Sequence, residues 1–185
     1  MVRNGIGGGN TQTGIRFEER VDLVARLSEI EGYHCEINQN TRGMNKWYDI
    51  YYQDDFVASA FKKHALYIYL ELNGVDYRAI LSKKLLPDEA IYVIRENTLF
   101  IIEIKFQNGS GSVDEKLQTC DYKRKQYQKL FAPLNYEIEY IYILNNWFQQ
   151  PQYRDTLDYV IAVRCRYYFE YLPLHHIGLP VPNAN

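Results

Sequence analysis

The sequence predicts a mixed α/β fold, one mixed sheet flanked by helices, in a single domain over residues 14–185. Three observations predict it. Stretches with helical periodicity alternate with short β-rich stretches, in the order α, β, α, β, β, α, β, α, β. The chain has 185 residues of which 46% are hydrophobic, enough for one sizeable core. No internal repeat and no linker-like stretch divides residues 14–185.

Residues 1–13, rich in Gly, Asn and Thr, are expected to be a flexible segment. A helix over 14–31 follows from the stripe Phe17, Val21, Val24 and Leu27, with Gly32 as its stop. "YHCEI" (33–37) is a short strand. Residues 38–53 are polar and aromatic and carry no clear period. Asp54 or Asp55 can cap a long helix to Leu72, with Val57, Phe61, Ala65, Ile68 and Leu72 at helical spacing and Gly74 beyond it. A β-hairpin follows, with strands at 89–94 and 98–106. Ser112 and Glu115 form an S-x-x-E capping box that opens a helix to Phe131, just before Pro133. "YEIEYIYIL" (136–144) alternates as a strand does. "QYRDTLDYVIAV" reads as a helix, "RYYFEY" as a last strand and "PLHHIGLP" as a short turn or helix.

The formal net charge is −2. A protein that holds DNA unaided needs a basic footprint, so this chain binds nucleic acid only through local cations or with help. Aromatic residues reach 15%, with 18 tyrosines, which suits rings with one apolar face and one wet end. Cys35, Cys120 and Cys165 are widely spaced and give neither a zinc motif nor a disulfide framework, so a reducing, cytoplasmic location is expected. The first residues contain no signal-peptide apolar core, and no stretch approaches the roughly 20 apolar residues of a membrane helix. His175 and His176 are adjacent and lack metal-ligand spacing.

The hairpin carries the chemistry. Its second arm, Leu99-Phe100-Ile101-Ile102, is apolar and then takes in Glu103 and Lys105. Alternation puts Glu103 and Lys105 on one face. With a two-residue turn at Glu96-Asn97, Asp88 lies opposite Lys105 and Ala90 opposite Glu103, so Asp88, Glu103 and Lys105 converge. A three-residue turn sends Asp88 to the other face. Two carboxylates in one pocket repel unless a cation neutralises them. A hard ion such as Mg²⁺ suits oxygen donors from Asp88, Glu103 and the Ile104 carbonyl. A neighbouring ammonium, Lys105, suits charge that develops on phosphate. On this reading, removing either carboxylate relieves repulsion and leaves the metal-free fold at least as stable. The acid-x-Lys pattern itself occurs three times, at 103–105, 114–116 and 121–123, and only the first lies on an apolar strand. Lys116, Lys123, Arg124, Lys125 and Lys129 ride the following helix, where they can meet phosphates or form a solvated face.

Pro87-Asp88, fourteen intervening residues and Glu103-Ile104-Lys105, followed by a helix carrying Gln118 and Tyr122, resemble the PD-(D/E)xK nuclease superfamily. The preceding helix and "PDEAIY" resemble the cleavage domain of FokI-type restriction enzymes. The resemblance covers about residues 14–145. It implies a restriction-endonuclease-like core in which Asp88 and Glu103 bind Mg²⁺ and Lys105 assists the attacking water. It also implies roles for Glu18 in "GIRFEER", as the acid of the first helix, and for Gln118, as the Gln of a Q-x-x-x-Y element. The expected activity is Mg²⁺-dependent hydrolysis of double-stranded DNA. The resemblance extends to the small subunit of a heterodimeric type IIS restriction endonuclease, which cuts one strand when joined to a larger recognition subunit. An orthodox homodimeric restriction enzyme and a non-catalytic interaction module are the alternatives.

Overall fold

The computed structural model describes residues 14, 16–109 and 112–182; the segment 1–13 expected to be flexible lies outside them. Helical residues 16–21 (α1) lead into α2 (Leu23–Ser28). Three strands follow: β1 (Tyr33–Ile37), β2 (Trp47–Tyr52) and β3 (Asp55–Lys62). Then come α3 (Ala65–Leu72), α4 (Tyr77–Ile80) and the hairpin β4 (Glu89–Val93) and β5 (Thr98–Lys105). The chain closes with α5 (Val113–Leu117), α6 (Cys120–Phe131), β6 (Glu137–Leu144), α7 (Arg154–Ala162) and β7 (Arg166–Phe169).

All seven strands form one sheet, in the same order as they occur along the chain. β1 to β5 pair antiparallel, and β6 and β7 add in parallel after helical crossovers through α5–α6 and α7. The fold is therefore mixed α/β with helices on both faces, as the alternating pattern predicts.

Alternation divides the core into two layers. Phe61, Leu99, Ile101 and Tyr142 face α3, α4, α6 and α7. Ile91, Phe100, Ile102 and Ile104 face Phe17, Val21 and Leu27 of α1 and α2, together with Leu172 and Ile177. Because β5 is covered on both sides, its apolar run is continuous rather than alternating. The two layers meet at β5, the strand that ends in Glu103 and Lys105.

Three predicted helices are corrected. The helix expected over 54–72 is a strand followed by a helix, and β2, within the unassigned stretch 38–53, pairs with that strand. Val57, Phe61 and Ala65 fit a helical period by chance. In β3, Ala58 and Ala60 face one layer while Ser59 and Phe61 face the other. The β2–β3 turn uses Gln53 and Asp54 at φ 48° and 70°, the left-handed pair that favours a tight hairpin, yet it lacks the Asn-Gly signature that would announce it. Alanine's helix propensity loses here to pairing with two neighbours in the sheet.

The helix expected over 14–31 breaks at Asp22. This residue leaves helical geometry (φ −52°, ψ 114°) to cap α2, accepting from the Ala25 N–H at 3.1 Å. Its carboxylate also pairs with Lys62. The helix expected over 112–131 breaks at Gln118-Thr119. Ser112 is the N-cap residue, but its side chain makes no capping bond, so its half of the predicted capping box is missing.

A candidate metal centre at the end of the central hairpin

Asp88 lies one residue before β4, at the end of the segment 81–88. That segment is held at Leu85 from two helices. The Tyr67 hydroxyl donates to the Leu85 carbonyl at 2.9 Å and accepts from the Leu85 N–H at 2.8 Å. The Tyr127 hydroxyl donates to the same carbonyl at 3.1 Å. Buried tyrosines thus supply the polar partners that an irregular segment needs.

The β4–β5 turn spans four residues, 94–97, rather than two. Glu89 pairs with Ile102 and Ala90 with Ile101, so the register is displaced by two residues from the expected Ala90–Glu103 pairing. An even displacement preserves which face each side chain takes. Asp88, Glu103 and Lys105 therefore converge as the sequence predicts, through a different turn. Asp88 Oδ2 accepts from the Ile104 N–H at 2.8 Å, which fixes its carboxylate against β5.

Lys105 Nζ sits at the point of convergence. It donates to Asp88 Oδ2 at 3.1 Å, to Glu103 Oε2 at 2.7 Å and to the Ile104 carbonyl at 3.0 Å. These are the three oxygen donors that the sequence assigns to a metal, and here they surround an ammonium. Among the described residues, no cluster of three or more His, Cys, Asp or Glu side chains is arranged to hold an ion. The set consists of two carboxylates and one backbone carbonyl. Its chemistry, all oxygen with no sulfur or imidazole, fits a hard cation such as Mg²⁺.

Glu103 is 5% exposed. Burial pushes its carboxyl up, but Lys105 and Lys123 outweigh burial and hold it below its ordinary value. Burial pushes the Lys105 ammonium down; Glu103 and Asp88 more than reverse this and keep it charged. Lys123, on α6, donates to Glu103 Oε1 at 3.0 Å.

Glu18 comes from α1 and lines the same cavity of about 610 Å³ as Glu103, Ile104, Lys105, Lys116 and Lys123. Burial, and then the Asp88 carboxylate, raise its proton affinity. The first helix therefore brings its acid to the site. Gln118 is not brought there. It lines a separate depression with Asp155, Thr156 and Tyr159 of α7. Lys116 of α5, Thr119 at the break and Lys123 of α6 line the cavity, whereas Gln118, at the break between the two helices, lies toward α7.

Sequence reasoning did not single out Lys123 from the basic run. No spacing along the helix singles it out, because its partner Glu103 lies on β5, 20 residues earlier. Lys125, by contrast, pairs with Asp121 on the same helix at 2.7 Å.

Comparison of the chain with known protein families, curated proteins and solved structures gives no match.

Proposed function

We propose that this chain is a Mg²⁺-dependent endonuclease of the PD-(D/E)xK type, hydrolysing DNA phosphodiester bonds. The observation that carries the reading is the convergence of Asp88 Oδ2, Glu103 Oε2 and the Ile104 carbonyl on one positive centre beside a cation-lined cavity. Asp88, Glu103 and the Ile104 carbonyl would hold the metal. When bound, Mg²⁺ supplies Lewis acidity toward a phosphoryl oxygen and acidifies water.

The chain's own residues do the rest. Lys105 offers its ammonium to the charge that builds on phosphorus-bound oxygen, in a site where burial strengthens the interaction. Glu18 stands at the cavity wall with raised proton affinity, suited to take a proton from the attacking water. Lys116, on the helix facing the hairpin end, orients the phosphate backbone. Gln118 takes no part in this reading.

The net charge of −2 favours a catalytic subunit that relies on a larger recognition partner to reach DNA, as in a heterodimeric type IIS restriction endonuclease. The test uses purified full-length chain, Mg²⁺ and supercoiled plasmid, alone and together with the product of the neighbouring gene. Discrete double-strand fragments from the mixture only, converted to single-strand nicks by Asp88→Ala, support the heterodimer. Fragments from the chain alone favour the homodimer. Absence of any Mg²⁺- or Mn²⁺-dependent stabilisation identifies an interaction module instead.

A further inference from the structure

An ammonium has three N–H donors, and Lys105 directs all three to the oxygens assigned to the metal. These are Asp88 Oδ2, Glu103 Oε2 and the Ile104 carbonyl, at 3.1, 2.7 and 3.0 Å. Lys105 and a dication therefore compete for the same place. Mg²⁺ takes oxygen at about 2.0–2.1 Å, so an ion held by this set would lie on or against the ammonium. Two positive charges that close repel strongly where water is scarce, and the Lys105 side chain is 16% exposed. Lys123 stands outside the competition, because it holds the other oxygen of Glu103, Oε1. The role of Lys105 toward phosphate meets the same obstacle from the other side. No N–H is left for a phosphate oxygen while all three stay on the donor set. One movement removes both obstacles. Lys105 lines the cavity of about 610 Å³ together with Glu18, Lys116 and Thr119, so its flexible stem has open space beside the set.

We infer that Lys105 is an internal stand-in for the dication: it holds the three oxygens together until the metal takes its place, and the displaced ammonium turns into the cavity toward a phosphate oxygen. This rests on the endonuclease reading above and adds an exchange to it. Asp88 and Glu103 come from different parts of the hairpin, and two carboxylates in one buried site repel without a cation. The ammonium keeps the donor set assembled and competes with the ion that the set is assembled for.

The test has two parts, and the first needs no variant. Amine acetylation of the full-length chain is read at each lysine by peptide mass spectrometry, without metal and at saturating Ca²⁺, with saturation fixed by calorimetry. Lys105 is expected to react several-fold faster with Ca²⁺, because it loses three acceptors and gains solvent. Lys125, paired with Asp121 and 59% exposed, is expected to keep its rate. The second part is Mn²⁺ binding by Lys105→Gln, which has no charge to displace. It is expected to be about tenfold tighter than in wild type, the order expected when one ammonium stops competing. The thermal midpoint of the variant is expected to fall without metal and to rise further with Mn²⁺ than that of wild type.

An unchanged Lys105 rate at Ca²⁺ saturation means that the ammonium stays in the donor set, and it overturns the inference. Equal or weaker Mn²⁺ binding by folded Lys105→Gln makes Lys105 a support for the ligands and also overturns it, while metal binding by the wild type stands. Failure of both proteins to bind Ca²⁺ or Mn²⁺ removes the endonuclease reading, and the exchange falls with it.

Discussion

Glu89 and Glu103 stand at the same end of the central hairpin, 6% and 5% exposed, on opposite faces of the sheet. Their ionisation differs in direction. Glu103 is flanked by two ammonium groups and is held below its ordinary value. Glu89 shares one ammonium, Lys62, with Asp22. Burial, and then repulsion from Asp22, push Glu89 up to about 7, although Lys62 and the Leu23 N–H oppose the rise. Equal burial thus gives opposite outcomes, and the number of counter-ions for each carboxylate decides between them. The Glu89 cluster has two acids and one base and needs a proton. The Glu103 cluster has two acids and two bases and needs none.

The largest expected break in this comparison is Glu103→Ala. It removes a proposed metal donor and should abolish metal-dependent hydrolysis in a plasmid-nicking assay. It also leaves Lys105 and Lys123 without their shared anion. The sequence alone led to the opposite expectation for stability, because it set Lys105 against charge on phosphate rather than between the two carboxylates and did not place Lys123 beside them. Breaking a buried pair from one side costs about 3 kcal/mol or more, so urea denaturation should show a clear loss. An unchanged midpoint would mean that the lysines find other partners.

Lys105→Ala should lower the hydrolysis rate by about 10²–10³-fold while Mn²⁺ binds at least as tightly, because the ammonium repels the metal and supports the transition state. Weaker Mn²⁺ binding would make Lys105 a structural bridge between Asp88 and Glu103.

On the other face, Glu89→Gln should leave the fold as stable as wild type near neutral pH, or more so. The folded-state value of Glu89 lies above its ordinary 4.5, so the folded protein binds the extra proton between pH 4.5 and about 7. Stability from this group is complete below 4.5 and is lost as pH rises through 7. The difference between variant and wild type should therefore grow in favour of Glu89→Gln by about 3 kcal/mol across that window. A difference that stays flat with pH would place the shared proton elsewhere.

The smallest effect is expected from Tyr67→Phe. It removes both hydrogen bonds to Leu85 and should cost about 1 kcal/mol. Weaker Mn²⁺ binding in the same variant would show that the Leu85 anchor sets the position of Asp88.

The convergence of Asp88, Glu103 and Lys105 was legible because parity along paired strands needs only an odd or even count. The four-residue turn changed the register and kept the parity. Glu18 was legible as an acid on the first helix, which packs through Phe17 and Val21 against the same strands. Gln118 was misplaced because a continuous helix was assumed across a break at 118–119. Strand β3 was hidden because Ala58, Ser59 and Ala60 look like helix formers when their sheet neighbours are unknown. Lys123 lay in plain sight, but its partner is 20 residues away on a strand, and spacing along one helix does not reveal that.

The order of strands in the sheet has a further meaning for synthesis. Each strand lies beside the one made just before it. Emerging chain can therefore pair with its immediate predecessor, with no open slot reserved for a later segment. Asp88, Glu103 and Lys105 are all made by the end of β5, whereas Lys123 arrives with α6. A growing chain thus exposes the oxygen donors and one ammonium before the second emerges. During that interval the carboxyl of Glu103 has half its final counter-charge, and a dication in the surrounding solution meets a less crowded ligand than in the finished protein.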